Sequence, residues 1–161
     1  MQRFLILGPI EVHDESGEVK LAGQKQRELL ALLLLQANRV VPADFLIDRL
    51  WGDQPPRTVN TSLQNGIHKL RRVVAADSLE FRAPGYVLHV EPEQLDLSRF
   101  DRLVERARDE KASERAATLR EALGLWRGEP LAELTFEPWA PEDGDPSDES
   151  GSVGSWRSIA R

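Results

Sequence analysis

The stretch "QKQRELLALLLLQANR", residues 24–39, holds seven consecutive apolar side chains from Leu29 to Leu35 and neither Gly nor Pro. Its residues are strong helix formers. Wound at about 100° per residue, such a run leaves no face of the helix for water. It is far short of the roughly 20 apolar residues that span a bilayer. The chain must therefore pack other elements around this helix on more than one side, and the rest of the sequence is read for what surrounds it.

Before it, "FLILGPIEV" places apolar side chains at Phe4, Ile6, Ile10 and Val12, interrupted by Gly8-Pro9, where a bulge or sheet edge is expected. "HDESGEVKLAG" predicts a turn over Glu15–Glu18 and a short return strand through Val19 and Leu21, a hairpin pattern. After it, "VVPADFLIDRLWG" predicts a two-residue extended piece, a Pro suited to a first helical turn, and a short helix. The apolar face of that helix is Phe45, Leu46, Leu50 and Trp51, with Gly52 as C-cap. "DQPPR" is a turn into a third helix over residues 57–74. "LEFRAPGYVLHV" predicts a β-hairpin around Ala83-Pro84-Gly85, with Gly85 expected at positive φ and Tyr86 in the core or at a hinge rather than on a base.

Residues 96–127 carry two helical patterns, Phe100, Leu103, Val104, Ala107 and then Ala116, Leu119, Leu123, Trp126, with a polar break around Lys111–Ser113. They predict an antiparallel helix pair. Phe100, Val104, Leu119, Leu123 and Trp126 are expected to pack on the first unit or on a second subunit. Carboxylates here interleave with arginines, as in Asp101/Glu105, Glu105/Arg108 and Glu121/Arg127, which reads as solvated helix surface. The end, "PEDGDPSDESGSVGSWRSIAR", is acidic and aperiodic and is expected to be disordered. The fold class is thus α+β for residues 1–91, an all-α pair over 92–140, and a tail over 141–161.

Chemistry is narrowed by what is missing. There is no Cys, and His13, His68 and His89 stand apart, so thiolate nucleophiles and zinc sites are not expected. No Gly-rich phosphate loop occurs, and neither an enzyme nor a cofactor is expected. With no signal peptide or membrane-length segment, a soluble cytoplasmic protein with no membrane partner is expected.

Charge is more informative. The net charge is −6, yet residues 1–90 are net +1 and residues 91–161 net −7. From Gln54 to Ala76 no acidic residue occurs, while Arg57, Lys69, Arg71 and Arg72 are basic. On a helix, Val59, Leu63, Ile67, Leu70 and Val74 form one apolar stripe about 80° wide. Thr61, Asn65, His68 and Arg72 cluster opposite it, with Thr58, Ser62 and Lys69 close by and Gln64 and Arg71 flanking. Amides, hydroxyls, an imidazole and cations without a carboxylate suit the major groove, where they meet base edges and phosphates. Gly66 lies on the margin of this face, where a close backbone approach or an incidental Gly would each account for it. Three helices, the last polar outward, followed by a hairpin with Arg82 near its tip, are the layout of a winged helix-turn-helix.

Three segments, "LLALLLLQANRVV", "LIDRLWGDQPPRTVNTSLQNGIHKLRRVV" and "APGYVLHV", resemble the OmpR-type winged helix of the Streptomyces antibiotic regulatory protein (SARP) family. "LDLSRFDRLVERAR…LREALGLWRGEPLAEL" resembles the start of that family's bacterial transcriptional activation domain, an all-helical, tetratricopeptide-like module. The resemblance spans about residues 3–140. It implies an activator, often of an antibiotic or other secondary-metabolite gene cluster, that binds promoter direct repeats in double-stranded DNA, as a homodimer there, and contacts RNA polymerase and its sigma factor. It makes the third helix the recognition helix, with Thr58, Thr61, Ser62, Asn65, His68, Lys69, Arg71 and Arg72 facing DNA and Arg82 as the wing contact. Gly52, Asp53, Gln54 and Arg57 match the loop that touches polymerase. Family members usually continue with further helical repeats, so a truncated second domain is expected here, and control by abundance rather than phosphorylation. The competing functions are a shortened regulator acting as a competitor, and a protein-interaction module whose acidic half docks a basic partner.

Overall fold

The leucine-rich segment forms a helix, α1 (Gln24–Leu35), in which Leu29 through Leu34 are all buried. The protein is described from a computed structural model, over residues 1–129; the expected tail and residues 130–140 lie outside the described residues. Ahead of α1 in the chain is an antiparallel sheet of β1 (Arg3–Leu5), β2 (Glu11–Asp14) and β3 (Gly17–Val19), in that order. Phe4 pairs with Val12 and Val12 with Val19, and Phe4, Ile6, Leu7, Ile10 and Val12 are all buried. The β2–β3 turn is closed by Asp14, whose Oδ1 accepts bonds from the Ser16 amide at 2.7 Å and its hydroxyl at 2.6 Å, and Gly17 supplies φ 123°.

Against α1 lie α2 (Ala43–Trp51) and α3 (Val59–Leu70), each packed on α1 and on the other. Gly52 ends α2 at φ 58°, its N–H donating to the Asp48 carbonyl at 2.8 Å. Leu63, Ile67, Leu70 and Val74 are buried, as the apolar stripe of the third helix requires, and Val59 is half-buried. Gly66 sits where α3 crosses α1: an added Cβ would lie 3.3 Å from Leu29 Cδ2. Close approach, rather than chance, explains that glycine.

The hairpin forms as β5 (Leu79–Arg82) and β6 (Gly85–Leu88), but the sheet has a third member. The extended piece β4 (Val41–Pro42) pairs with β6, Val41 opposite Tyr86 and Pro42 opposite Gly85, in the order β4-β6-β5. Pro42 therefore sits on a sheet edge just before α2 rather than inside its first turn. Gly85 has no positive φ, against expectation. A Cβ there would lie 1.9 Å from the Val41 carbonyl oxygen, so glycine is required by backbone crowding between β4 and β6.

The pair α4 (Asp96–Asp109) and α5 (Ala112–Leu123) packs against β1, and Leu95, Leu97, Phe100, Leu103 and Ala122 share one core with Phe4 and Ile6. The expected face of α5 is corrected. Ala116 is exposed, Leu119 is 37% exposed and Leu123 is 59% exposed. The packed side is Thr118 and Ala122, with Leu125 and Trp126 beyond the helix end. Trp126 meets the Phe100 ring edge-on at 5.6 Å.

A joint fastens this pair to the sheet. Phe4 and Leu95 form a parallel bridge. The buried Asp96 carboxylate accepts the Ile6 N–H at 2.9 and 3.0 Å and the Leu7 N–H at 2.9 Å. The Arg127 N–H donates to the Leu7 carbonyl at 2.8 Å, and its guanidinium bonds the Pro9 carbonyl at 2.8 Å and pairs with Glu11. Glu121 consequently pairs with Arg99 and Arg106, not with Arg127. Asp101 is not simple solvated surface either: both carboxylate oxygens are buried without a hydrogen-bond partner. Burial first, and the neighbouring Glu105 second, push its carboxyl up to about 6.

Candidate nucleic-acid interface

Helix α3 is shorter than its apolar period predicts. Arg57 and Thr58 precede it, and Arg71 and Arg72 lie in the turn that follows. Its first turn carries no acid and its last carries His68 and Lys69, the arrangement a helix dipole favours at its C-terminal end. Thr58, Thr61, Asn65, His68 and Lys69 are exposed and Ser62 is half-buried. With the opposite side held by Leu63, Ile67 and Leu70 in the core, the polar side chains cannot rotate inward.

The candidate residues separate into three groups. Ser62, Asn65 and Lys69 line one groove with Lys25, Trp51 and Gly66. Arg72 lies on the far side, exposed, in a depression it shares with Asp14 and Glu15 of the β2–β3 turn. Arg71 is half-buried, its Nε donating to the Leu79 carbonyl at 3.2 Å, so it braces the base of the hairpin. Arg71 and Arg72 are therefore set apart from the row formed by Thr61, Asn65, His68 and Lys69.

On the hairpin, Arg82 is exposed but paired: its Nη2 is 3.1 Å from Glu80 Oε2, and His89 Nε2 is 3.0 Å from the same oxygen. The His89 bond first, and the Arg82 charge next, hold the Glu80 carboxyl below its usual range. Phe81 is 60% exposed beside them and meets Tyr86 edge-on at 5.3 Å; Tyr86 itself is buried. Gly52, Asp53, Gln54 and Arg57 are all exposed in the turn between α2 and α3, where Asp53 is the nearest carboxylate before the acid-free stretch begins.

The sequence does not single out Lys25 or Glu80, and it places Trp51 only on the apolar face of the second helix. For Lys25 a signal exists, a cation in the first turn of a helix, where the dipole disfavours it. For Glu80 the only local signal is Arg82 two residues along the same strand; His89 meets it only across the hairpin. Among the described residues no group of His, Asp and Glu is arranged to hold a metal ion, and no helix is long and apolar enough to cross a membrane.

Comparison with known proteins agrees with this geometry. Residues 17–88 match the family model "Transcriptional regulatory protein, C terminal", and residues 95–147 match "Bacterial transcriptional activator domain". The regulatory protein DnrI of Streptomyces peucetius is 37% identical over 146 residues, covering 80% of this chain and 53% of that protein. AfsR of Streptomyces griseus is 32% identical over 136 residues, covering 82% of this chain and 14% of AfsR. The structure of Mycobacterium tuberculosis EmbR in complex with a low-affinity phosphopeptide superposes with a TM-score of 0.76 at 30% identity, over 83% of this chain and 38% of EmbR. The chain thus spans about half the length of DnrI and less of the other two. Its winged helix and the helix pair that follows place it in the SARP family of DNA-binding transcriptional regulators.

Proposed function

We propose that this chain regulates promoters by laying α3 in the major groove of duplex DNA, with the β5–β6 hairpin on the adjacent backbone or minor groove. One observation carries it: a row of exposed amide, hydroxyl, imidazole and ammonium groups, Thr61, Asn65, His68 and Lys69, on a helix whose other side is fixed in the core and whose surroundings hold no carboxylate from Gln54 to Ala76. Asn65 is the residue suited to bidentate bonding with adenine, and Lys69 and His68 to guanine or phosphate. The exposed Gly52–Arg57 turn is the surface proposed to meet RNA polymerase and its sigma factor. Direct-repeat sites and control of a secondary-metabolite cluster are part of the same proposal, supported by the family to which the chain belongs.

Residues 1–91 act as the DNA-binding unit. The pair α4–α5 is the opening unit of a tetratricopeptide-like array, whose units each need a neighbour to cover their apolar side. The outward Leu119 and Leu123 are the surface such a neighbour would cover.

The test is binding to labelled duplexes at several salt concentrations, followed by footprinting. Contact with about five phosphates gives log affinity against log salt a slope of roughly −4 to −5. Asn65→Ala is expected to weaken preference for the footprinted site by about 1–3 kcal/mol while leaving mixed-sequence DNA binding unchanged. No binding at low salt, or an unchanged preference in Asn65→Ala, rules out this face as the reading surface.

A further inference from the structure

We infer that Lys25, on the first turn of α1, clamps a DNA phosphate across the groove from Lys69, so that the interface extends beyond α3 onto the amino-terminal end of the central helix. The inference rests on the placement of α3 in the major groove proposed above. A helix about 10–12 Å across fills a major groove about 12 Å wide. The sugar-phosphate strands must then run along both flanks of α3, over whatever protein lies beside it. On the α1 and α2 side, that is a groove of about 270 Å³ lined by Lys25, Trp51, Ser62, Asn65, Gly66 and Lys69 among others.

The groove has the character such a strand requires. Its lining holds two ammonium groups, an indole, a hydroxyl and amides over an apolar floor of Leu29, Leu50 and Leu63, with no carboxylate. Lys25 is exposed and held in place rather than swinging free: its ammonium donates to the Leu50 carbonyl and lies 5.4 Å from the centre of the Trp51 ring. An ammonium has three donors, so this tether leaves others for phosphate oxygens. Gly66 lets α3 come within van der Waals distance of Leu29, which brings the α1 end of the groove close to the α3 row.

A second observation is independent of the groove. Helices α2, α4 and α5 each carry an acid in the first turn, Asp44, Asp96 and Glu114, as the dipole favours. Helices α1 and α3 carry none, and α1 has Lys25 there instead. Of the three helices that line the groove, α1 and α3 leave their first turns free of carboxylates.

The experiment compares the full chain with Lys25→Gln, Lys25→Arg, Lys69→Gln and Asn65→Ala, using a labelled mixed-sequence duplex and the footprinted site at several salt concentrations, with thermal melting of each variant in parallel. Each lost phosphate contact flattens the salt slope by about 0.9. Lys25→Gln is expected to flatten the slope by that amount and to weaken both duplexes by the same factor. Lys25→Arg should keep the wild-type slope. A Lys25→Gln protein that melts as wild type and retains the full slope, while Lys69→Gln flattens it, overturns the clamp and leaves the α3 assignment standing. If neither Asn65→Ala nor Lys69→Gln alters binding, the underlying placement of α3 fails and the clamp falls with it.

Discussion

Replacing Asp96 by Ala tests how firmly the helix pair is fastened to the winged helix. The carboxylate is 7% exposed and is the hydrogen-bond acceptor for the backbone N–H groups of Ile6 and Leu7, both themselves buried. Alanine leaves two buried donors without partners, each costing about 1–3 kcal/mol. Against this, burial raises the Asp96 carboxyl despite the opposing amides of Ile6, Leu7 and Leu97 and the charge of Arg127, so removing the carboxylate also recovers part of its desolvation cost. The net expectation is a loss of about 2–4 kcal/mol, a large share of the roughly 5–15 kcal/mol that holds a domain folded. Asp96→Asn should lose about half as much. Its oxygen, placed at the Oδ2 position, still accepts from both amides, at 3.0 and 2.9 Å in the wild type, but its NH2 then faces the Ile6 donor. Urea titration followed by far-ultraviolet circular dichroism and by tryptophan fluorescence, to which Trp126 at the joint contributes, gives both values. A loss below about 0.5 kcal/mol in Asp96→Ala would refute the view that these two bonds carry the joint.

Three further outcomes follow from single residues. Asp101, pushed up to about 6, folds more readily protonated, so its stability contribution is full below the unfolded value near 3.8 and is lost as pH rises through 6. Asp101→Asn should remove that slope in thermal melts and stabilise the chain at pH 7 by on the order of 1 kcal/mol, after allowing for partial solvent screening of a half-buried group. Glu80→Gln frees Arg82 and removes a negative charge from the hairpin; it should tighten binding to any duplex by about two- to fivefold at low salt, read by fluorescence anisotropy. Gly85→Ala forces β4 away from β6 and should cost about 2–3 kcal/mol in chemical denaturation, with faster amide exchange at Tyr86.

The parts of this fold that the sequence foretold are those written in local period and turn chemistry. The uninterrupted leucines require a surrounded helix, and Leu63, Ile67, Leu70 and Val74 define one buried side of α3 whatever lies beneath it. The parts that stayed hidden depend on partners far apart in the chain. Asp96 lies among many acids and is distinguished only by meeting Ile6 and Leu7 some 90 residues away. On α5 two stripes compete: Leu119 and Leu123 are the more apolar, but Thr118 and Ala122 face the core. A polar residue is tolerated there because Thr118 Oγ1 bonds Glu110 at 2.5 Å and Arg106 at 3.3 Å. For Gly85 the turn predicts a positive φ, whereas the Val41 carbonyl on the neighbouring strand β4 is what demands glycine. At the face proposed for DNA, the acid-free stretch is legible in the sequence, but the end of α3 at Leu70 is not, and that end sets Arg71 and Arg72 beyond the helix.

The arrangement of charge reconciles an acidic chain with a polyanionic target. Exposed charges farther apart than about 8 Å are largely screened at physiological salt, so the net −6 of the chain matters less than the sign of the charges beside α3. At the edges of that face two arginines are engaged, Arg71 with the Leu79 carbonyl and Arg82 with Glu80, while Arg72 lines a depression together with Asp14 and Glu15. Along the face itself stand Asn65, Thr61, His68 and Lys69, with Lys25 across the groove and no carboxylate lining it. On the proposed placement of α3, a surface of this kind would draw less on counterion release and more on hydrogen bonds to base edges. It is therefore expected to bind mixed-sequence DNA weakly and to discriminate among sites strongly for its size, because phosphate contacts add affinity without regard to sequence whereas base contacts do not.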